Sequence, residues 1–268
     1  MRMFISMITV MIIVNACSDS GTGNKDDNQI PEPEGWSLVW NDEFTEGSMP
    51  DSTKWFCEYG PNWANGELQY YTDFRPENLR ILNGNLVIEV RHENYGGRNY
   101  TSTRLNSAKT WIYGRMDIRA RLPKGNALWP AIWMMPQFST YGGWPNSGEI
   151  DIMENWSWDQ LGIYGTIHTE DYNHTIGTQK GGKISVTAPW LNFHNYTLEW
   201  EQSQMRWFVD DSLYFTFDNE GEVSKWPFNH PFRFILNIAI EGTAEGQEDT
   251  WIKRTMEIDY VRVYKKDE

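Results

Sequence analysis

Cysteine is scarce, with two in 268 residues. One of them, Cys17, lies in the N-terminal segment, so Cys57 is left alone and the folded part has no intrachain disulfide to rest on. Positive charge is also short: 23 Lys and Arg stand against 37 Asp and Glu, for a net charge of −14. Such a chain repels a phosphate backbone, which argues against nucleic acid as a partner. The same Coulombic argument disfavours a heavily sulfated polysaccharide and leaves a neutral ligand as the easier fit. The five histidines are scattered, and no Cys/His pair has zinc spacing. No long amphipathic helix pattern, internal repeat or second linker interrupts the chain after Gly35. The apolar run at the N-terminus, Phe4 to Val14, is too short for a comfortable membrane span.

That N-terminus reads as a signal peptide: Arg2 supplies the charge, Phe4 to Val14 the apolar centre and Ala16 the small residue before the cut. Because the cut falls directly before Cys17, the segment resembles a bacterial lipoprotein signal, with Cys17 as the lipidated first residue. An ordinary secretory signal is the alternative. Residues 18–34 are polar and charged and end in Pro31-Glu-Pro33, a flexible tether with a stiffer extended end. The expected organisation is therefore a signal over 1–16, a tether over 17–34 and one folded domain over 35–268. The chain would sit on the outer membrane or surface of a Gram-negative cell, held by its lipid.

Aromatic residues are plentiful, with 15 Trp, 13 Tyr and 12 Phe. Some suit a core and others suit surface platforms. Apolar residues recur mostly with period two, as in Leu86–Val90, Met116–Leu122, Tyr196–Trp200 and Met256–Tyr264. Turn signals separate these runs: Asn83-Gly84-Asn85, Pro123-Lys-Gly-Asn126 and Asp210-Asp211. Many strands with such turns predict an all-β sandwich or barrel, two packed antiparallel sheets of which one face can form a groove.

The most informative stretch is Glu149-Ile-Asp-Ile-Met-Glu154. In a strand, residues two apart share a face, so Glu149 and Asp151 point one way and Ile150 and Ile152 the other. Glu154 breaks that parity and would be driven into the core, at high cost. One extra residue at Ile152–Met153, a β-bulge, would return it to the face of the other two acids. Three carboxyls on one face cannot all ionise cheaply, so at least one pKa rises. A pair of acids with separated pKa values is what glycoside hydrolysis uses. A solvated acidic face and a metal site are the competing readings, weakened by flanking Trp144, Trp156 and Trp158 and by the lack of a histidine at ligand spacing.

Here the sequence resembles glycoside hydrolase family 16, whose bulged-strand signature Glu-x-Asp-x-x-Glu is matched by Glu149, Asp151 and Glu154. Supporting segments run in order from Trp36 to Tyr264. They include Trp36–Phe44, the laminarinase-like Asn65-Gly-Glu-Leu-Gln-Tyr-Tyr-Thr72, Tyr113-Gly-Arg115, Arg119–Gly125, Leu128-Trp-Pro-Ala-Ile-Trp-Met134 and Ile258–Tyr264. The resemblance implies a β-jelly-roll with a concave substrate groove and a retaining double displacement. It makes Glu149 the nucleophile, Glu154 the acid/base and Asp151 the assisting residue. Spacing alone does not separate retaining from inverting, which depends on carboxyl separations of roughly 5–5.5 Å or 6.5–9.5 Å.

The resemblance also favours Trp129 and Trp133, which share a strand face, as platforms for sugar rings, and places His168 near the reacting sugar. Asn65, Arg75 and Trp144 are candidate sugar contacts on loops. No cofactor is expected for catalysis. A structural calcium ion is implied at Glu43, the Gly84 carbonyl and Asp259, where oxygen ligands suit it. The expected partner is a β-glucan, cut by a monomer as pure β-1,3-glucan (laminarin) or as mixed-linkage β-1,3-1,4-glucan. Two stretches depart from the usual laminarinase pattern: Glu241–Gln247, and Thr169–Gly181, which is similar to glucanases of Bacteroidetes. Alternatives are a galactan (agar or carrageenan) hydrolase of the same family and a lipoprotein that binds glycan without cutting it.

Overall fold

A computed structural model describes residues 30–242 and 251–268. The signal, Cys17, nearly all of the tether and positions 243–247 of the altered rim lie outside the described residues. The compact unit runs from Pro31 to Glu268.

Seventeen strands are described. In chain order they are β1 (Trp36–Asp42), β2 (Trp55–Glu58), β3 (Gln69–Tyr71), β4 (Leu79–Leu82), β5 (Asn85–Tyr95) and β6 (Arg98–Ser102). Then come β7 (Arg104–Ser107), β8 (Gly114–Arg121), β9 (Leu128–Pro136), β10 (Glu149–Glu154), β11 (Gly162–His168) and β12 (Lys180–Ser185). The last five are β13 (His194–Trp200), β14 (Gln204–Val209), β15 (Ser212–Asp218), β16 (Phe232–Ile240) and β17 (Lys253–Lys266). They form two sheets. A ten-stranded sheet runs β15-β14-β13-β8-β17-β5-β6-β3, with β1 added to β17 and β4 to β5. A seven-stranded sheet runs β12-β11-β10-β9-β16-β7-β2. Pairing is antiparallel except at β3, a three-residue edge strand that lies parallel to β6.

The period-two runs become β5, β8, β13 and β17, and their inward residues make the core. Met116, Ile118 and Ala120 of β8 and Met256, Ile258, Val261 and Val263 of β17 belong to one buried cluster. Ile132 and Met134 of β9, Ile150 and Ile152 of β10, and Phe234, Leu236 and Ile238 of β16 complete it. The step from Ile258 to Val261 reflects a register shift between Ile258 and Tyr260, which moves the inward positions by one. Burying each of the larger side chains contributes roughly 1.5–3 kcal/mol, and the core does the work that disulfides would do.

Turn chemistry follows the sequence. At Asp210-Asp211 both φ angles are positive, 47° and 67°, the geometry of a tight two-residue hairpin between β14 and β15. The outer face of the ten-stranded sheet alternates opposite charges. Arg115 pairs with Glu199 at 2.8 Å, Arg119 with Asp259 at 2.8 Å and Arg121 with Glu257 at 2.7 Å. That polar face leaves the seven-stranded sheet to carry the groove.

Candidate active site

The bulge on β10 sets the site. Asp151 faces Trp133 of β9, yet Met153 already faces Ile132, so one extra residue sits in between. Against β11 the register likewise shifts between Asp151, opposite Thr166, and Glu154, opposite Tyr164. Ile150, Ile152 and Met153 are buried in the core. Glu149, Asp151 and Glu154 all line the groove. The bulge is held from below. The Trp207 indole donates to the Asp151 carbonyl at 2.9 Å, and the Tyr214 hydroxyl to the Ile152 carbonyl at 3.4 Å. Room for them is left by Gly165 of β11, where a Cβ would lie 2.6 Å from Trp207 Cδ1 and 2.6 Å from the Tyr214 hydroxyl.

All three carboxyls are pushed up in pKa. Glu149 rises to about 8, first through burial and then through the Asp151 charge. The His168 ring and the Trp144 N–H, which donates to Glu149, oppose that rise. Asp151 rises through burial, and a hydrogen bond shared with Glu149 pulls it back. Glu154 rises well above its ordinary value, through burial and then the charges of Asp151 and Glu149, against a 2.9 Å hydrogen bond from Trp129 Nε1. The result is a proton-rich cluster: burial and mutual repulsion favour the protonated form of each acid, Glu154 included, and Glu149 and Asp151 share a hydrogen bond. His168 Nε2 stands 3.4 Å from Asp151 Oδ2. Among the described residues, Asp151 Oδ2 and His168 Nδ1 have no hydrogen-bond partner although both are buried, so each is open to a bound hydroxyl. Donor atoms of Glu149, Asp151 and His168 lie within 4.8 Å of one another, the one such cluster among the described residues. One of its carboxylates already takes the Trp144 N–H and shares a proton with the other.

Around the acids runs a groove of about 910 Å³. On one side Trp129 stacks on Trp156 at 4.2 Å and 24°, and Trp156 continues to Trp158 at 6.4 Å and 27°. Trp158 is 68% exposed, so most of its ring stays open to a ligand. On the other side Trp133 donates to Asn237 at 2.7 Å, and Asn237 donates to the Tyr71 hydroxyl at 2.9 Å. The Arg104 guanidinium lies 4.5 Å from the Trp133 ring and 4.9 Å from the Trp63 ring, gripped between them. Flat apolar rings flanking paired acids form a surface that suits the C–H faces of a sugar chain.

The profile of glycosyl hydrolases family 16 matches residues 66–262. The chain belongs to glycosyl hydrolase family 16. It is 46% identical to a β-glucanase of Rhodothermus marinus, over 99% of this chain and 95% of that protein. It is 40% identical to a glucan endo-1,3-β-glucosidase of Cryptopygus antarcticus, over 85% of this chain and 91% of that one. The solved laminarinase of Rhodothermus marinus superposes with a TM-score of 0.84 at 48% identity, covering 87% of this chain and 98% of the other.

Within this family 16 fold, most of the expected sugar contacts meet. Trp129, Trp133, Trp144, His168 and Asn65 all line the groove. Arg75 does not. Its guanidinium is engaged by Glu93 at 2.6 and 3.3 Å and by Asn78 at 3.0 Å, and lies 5.0 Å from the Tyr95 ring. Arg75 is a strut for the loop before β4, a correction to its reading as a sugar contact. Sequence reasoning passed over Trp63, Glu67, Arg104, His174 and Asn237, which also line the groove. Asn237 had a visible signal, being the polar residue in the apolar run Ile235–Ile240. Of the groups suggested for calcium, Glu43 takes two hydrogen bonds from Arg262 at 2.9 and 2.8 Å, and Asp259 one from Arg119 at 2.8 Å. As arranged, both carboxylates already serve arginines, whose positive charge opposes a cation beside them.

Proposed function

We propose that the chain is a retaining endo-β-glucanase that cleaves β-1,3-glucan and mixed-linkage β-1,3-1,4-glucan. The observation that carries this reading is the bulged strand. It brings Glu154, whose protonated form burial favours, and a hydrogen-bonded Glu149–Asp151 pair onto one groove face between tryptophan platforms. Glu154 gives its proton to the glycosidic oxygen as that bond breaks, and Glu149 attacks the anomeric carbon to form a glycosyl ester. Ionised Glu149 is available when the shared proton rests on Asp151. The Trp144 N–H steadies the charge on Glu149. Glu154, now ionised, takes a proton from the water that attacks the same carbon, and Glu149 leaves. Trp129 binds the reaction to the platform, because it stacks on Trp156 and donates to Glu154 at once.

Relatives described as a β-glucanase and as a glucan endo-1,3-β-glucosidase support the substrate class. Both linkages are proposed because Glu241 and Gly242 open a rim unlike the usual laminarinase one. The decisive assay incubates the protein with laminarin and barley glucan and follows product size, with Glu149→Ala as control. Shortening of both polymers, lost in the variant, supports the reading. A folded protein that leaves both intact sinks it.

Three further elements belong to the same proposal. Cys17 carries the lipid, and the 18–34 tether holds a monomeric enzyme off a Gram-negative outer membrane. Labelling by a palmitate analogue, absent in Cys17→Ala, tests this. Catalysis uses no metal ion. Calcium at Glu43, Gly84 and Asp259 would add stability alone, in competition with Arg262 and Arg119. A Tm lowered by EDTA and restored by calcium supports that ion, and an unchanged Tm removes it.

A further inference from the structure

The ten-stranded sheet carries a second cavity, of about 370 Å³, where β8 and β17 meet the loop at Pro123 and Lys124. Its lining includes Arg121, Lys124, Lys253 and Arg254 around Trp190, with Glu257 as the one acid. Four cations against one carboxylate is the reverse of a chain whose net charge is −14. Arg121 is taken by Glu257 at 2.7 Å. Lys253 reaches Glu89 only at 3.7 Å. Among the described residues Arg254 is fixed by backbone oxygens, donating to the Lys124 carbonyl at 2.7 Å and the Lys253 carbonyl at 2.9 Å. Lys124 rests its ammonium 4.5 Å over the Trp190 ring. Among the described residues no carboxylate pairs with Lys124 or Arg254, whereas Arg115, Arg119 and Arg262 on the same sheet all have acids. Lys124 and Arg254, so placed beside two further cations, add positive charge that an anion would relieve. A guanidinium already oriented by its backbone bonds is ready to meet a carboxylate.

We propose that this pocket is a second glycan site, which takes a sugar residue bearing a carboxylate, a hexuronate within a polysaccharide. Lys124 swings off the Trp190 ring to receive the carboxylate with Arg254, and the C–H face of the sugar takes its place on the indole. Among the described residues the groove offers the same sugar no lysine or arginine beside its three acids except Arg104, which is held between Trp63 and Trp133. The two sites therefore sort ligands by charge, neutral glucan to the groove and acidic glycan to the pocket. An enzyme so equipped stays on a matrix in which acidic polysaccharide surrounds its substrate.

The test is calorimetric titration of the full chain with oligogalacturonate, beside laminarihexaose as the neutral control. The Glu149→Ala background keeps the groove from cutting the control. Oligogalacturonate is expected to bind without competition from laminarihexaose. Trp190→Ala and Lys124→Glu should each weaken it tenfold or more and leave laminarin hydrolysis unchanged in the otherwise native enzyme. Lys124 is exposed, so Lys124→Glu decides the matter if Trp190→Ala does not fold. No binding by the parent protein, or binding untouched by Lys124→Glu, overturns the proposal. So does Trp190→Ala binding as well as the parent while inorganic phosphate displaces the sugar, since the pocket would then read charge alone.

Discussion

Replacing Glu149 with glutamine is expected to stabilise the protein at neutral pH while it stops turnover. In the folded state the Glu149 carboxyl is raised from 4.5 to about 8, by burial and the neighbouring Asp151 charge. Between those two values the folded protein holds a proton that the unfolded chain has released. Stability is therefore full below about pH 4.5 and drains away as pH rises toward 8. Each pKa unit is worth about 1.4 kcal/mol, so the loss accumulated by pH 7 has a ceiling of about 3 kcal/mol. Sharing a proton with Asp151 lowers that, and about 2 kcal/mol is a fair figure. Glutamine cannot ionise, and its carbonyl still accepts from Trp144. For a domain of this size the gain amounts to roughly 4–8 °C in Tm at pH 7. Its amide adds a constant offset, so the pH trend carries the test. Thermal melts of both proteins from pH 4 to pH 8 should show the variant pulling ahead as pH rises. A Tm difference that stays constant with pH, or shrinks, would refute the electrostatic account of this cluster.

Glu154→Gln removes the proton donor and should cost about 10²–10⁴-fold in kcat on glucan, the usual worth of general acid catalysis. Because Glu154 is raised well above its ordinary value, the alkaline limb of kcat/KM in the parent enzyme should lie on the alkaline side of the ordinary carboxyl range, and a limb within that range would contradict the site. Trp129→Phe keeps a ring against Trp156 but withdraws the N–H that lowers the Glu154 pKa, so the alkaline limb should move to higher pH with KM little changed. Gly165→Ala places a Cβ against Trp207 and Tyr214, the two side chains that hold the bulge carbonyls. Overpacking of this kind costs about 1–3 kcal/mol, and here it should lower kcat more than it raises KM. Melts and initial rates on laminarin measure both.

What the sequence disclosed, and what it withheld, follows from the range of the interactions involved. The bulge was legible because its signal is local: Glu154 has the wrong parity for its strand, and only an inserted residue spares the core a carboxylate. The Asp210-Asp211 hairpin was legible for the same reason, since two short polar residues tolerate the positive φ that the turn needs. Arg75 was misread because its meaning depends on Glu93, eighteen residues away on β5 and brought to it by the β4–β5 pairing. Arg104, between Trp63 and Trp133, is of that kind as well, as three separate segments must converge before its role exists. Gly165 is the sharpest case. Within its own strand it looks like a weak point, with no side chain to pack. Its absent Cβ is the space in which Trp207 and Tyr214 of the opposite sheet reach the Asp151 and Ile152 carbonyls. The acids are thus written in one hexapeptide, while the geometry that makes them chemically unequal is spread over both sheets.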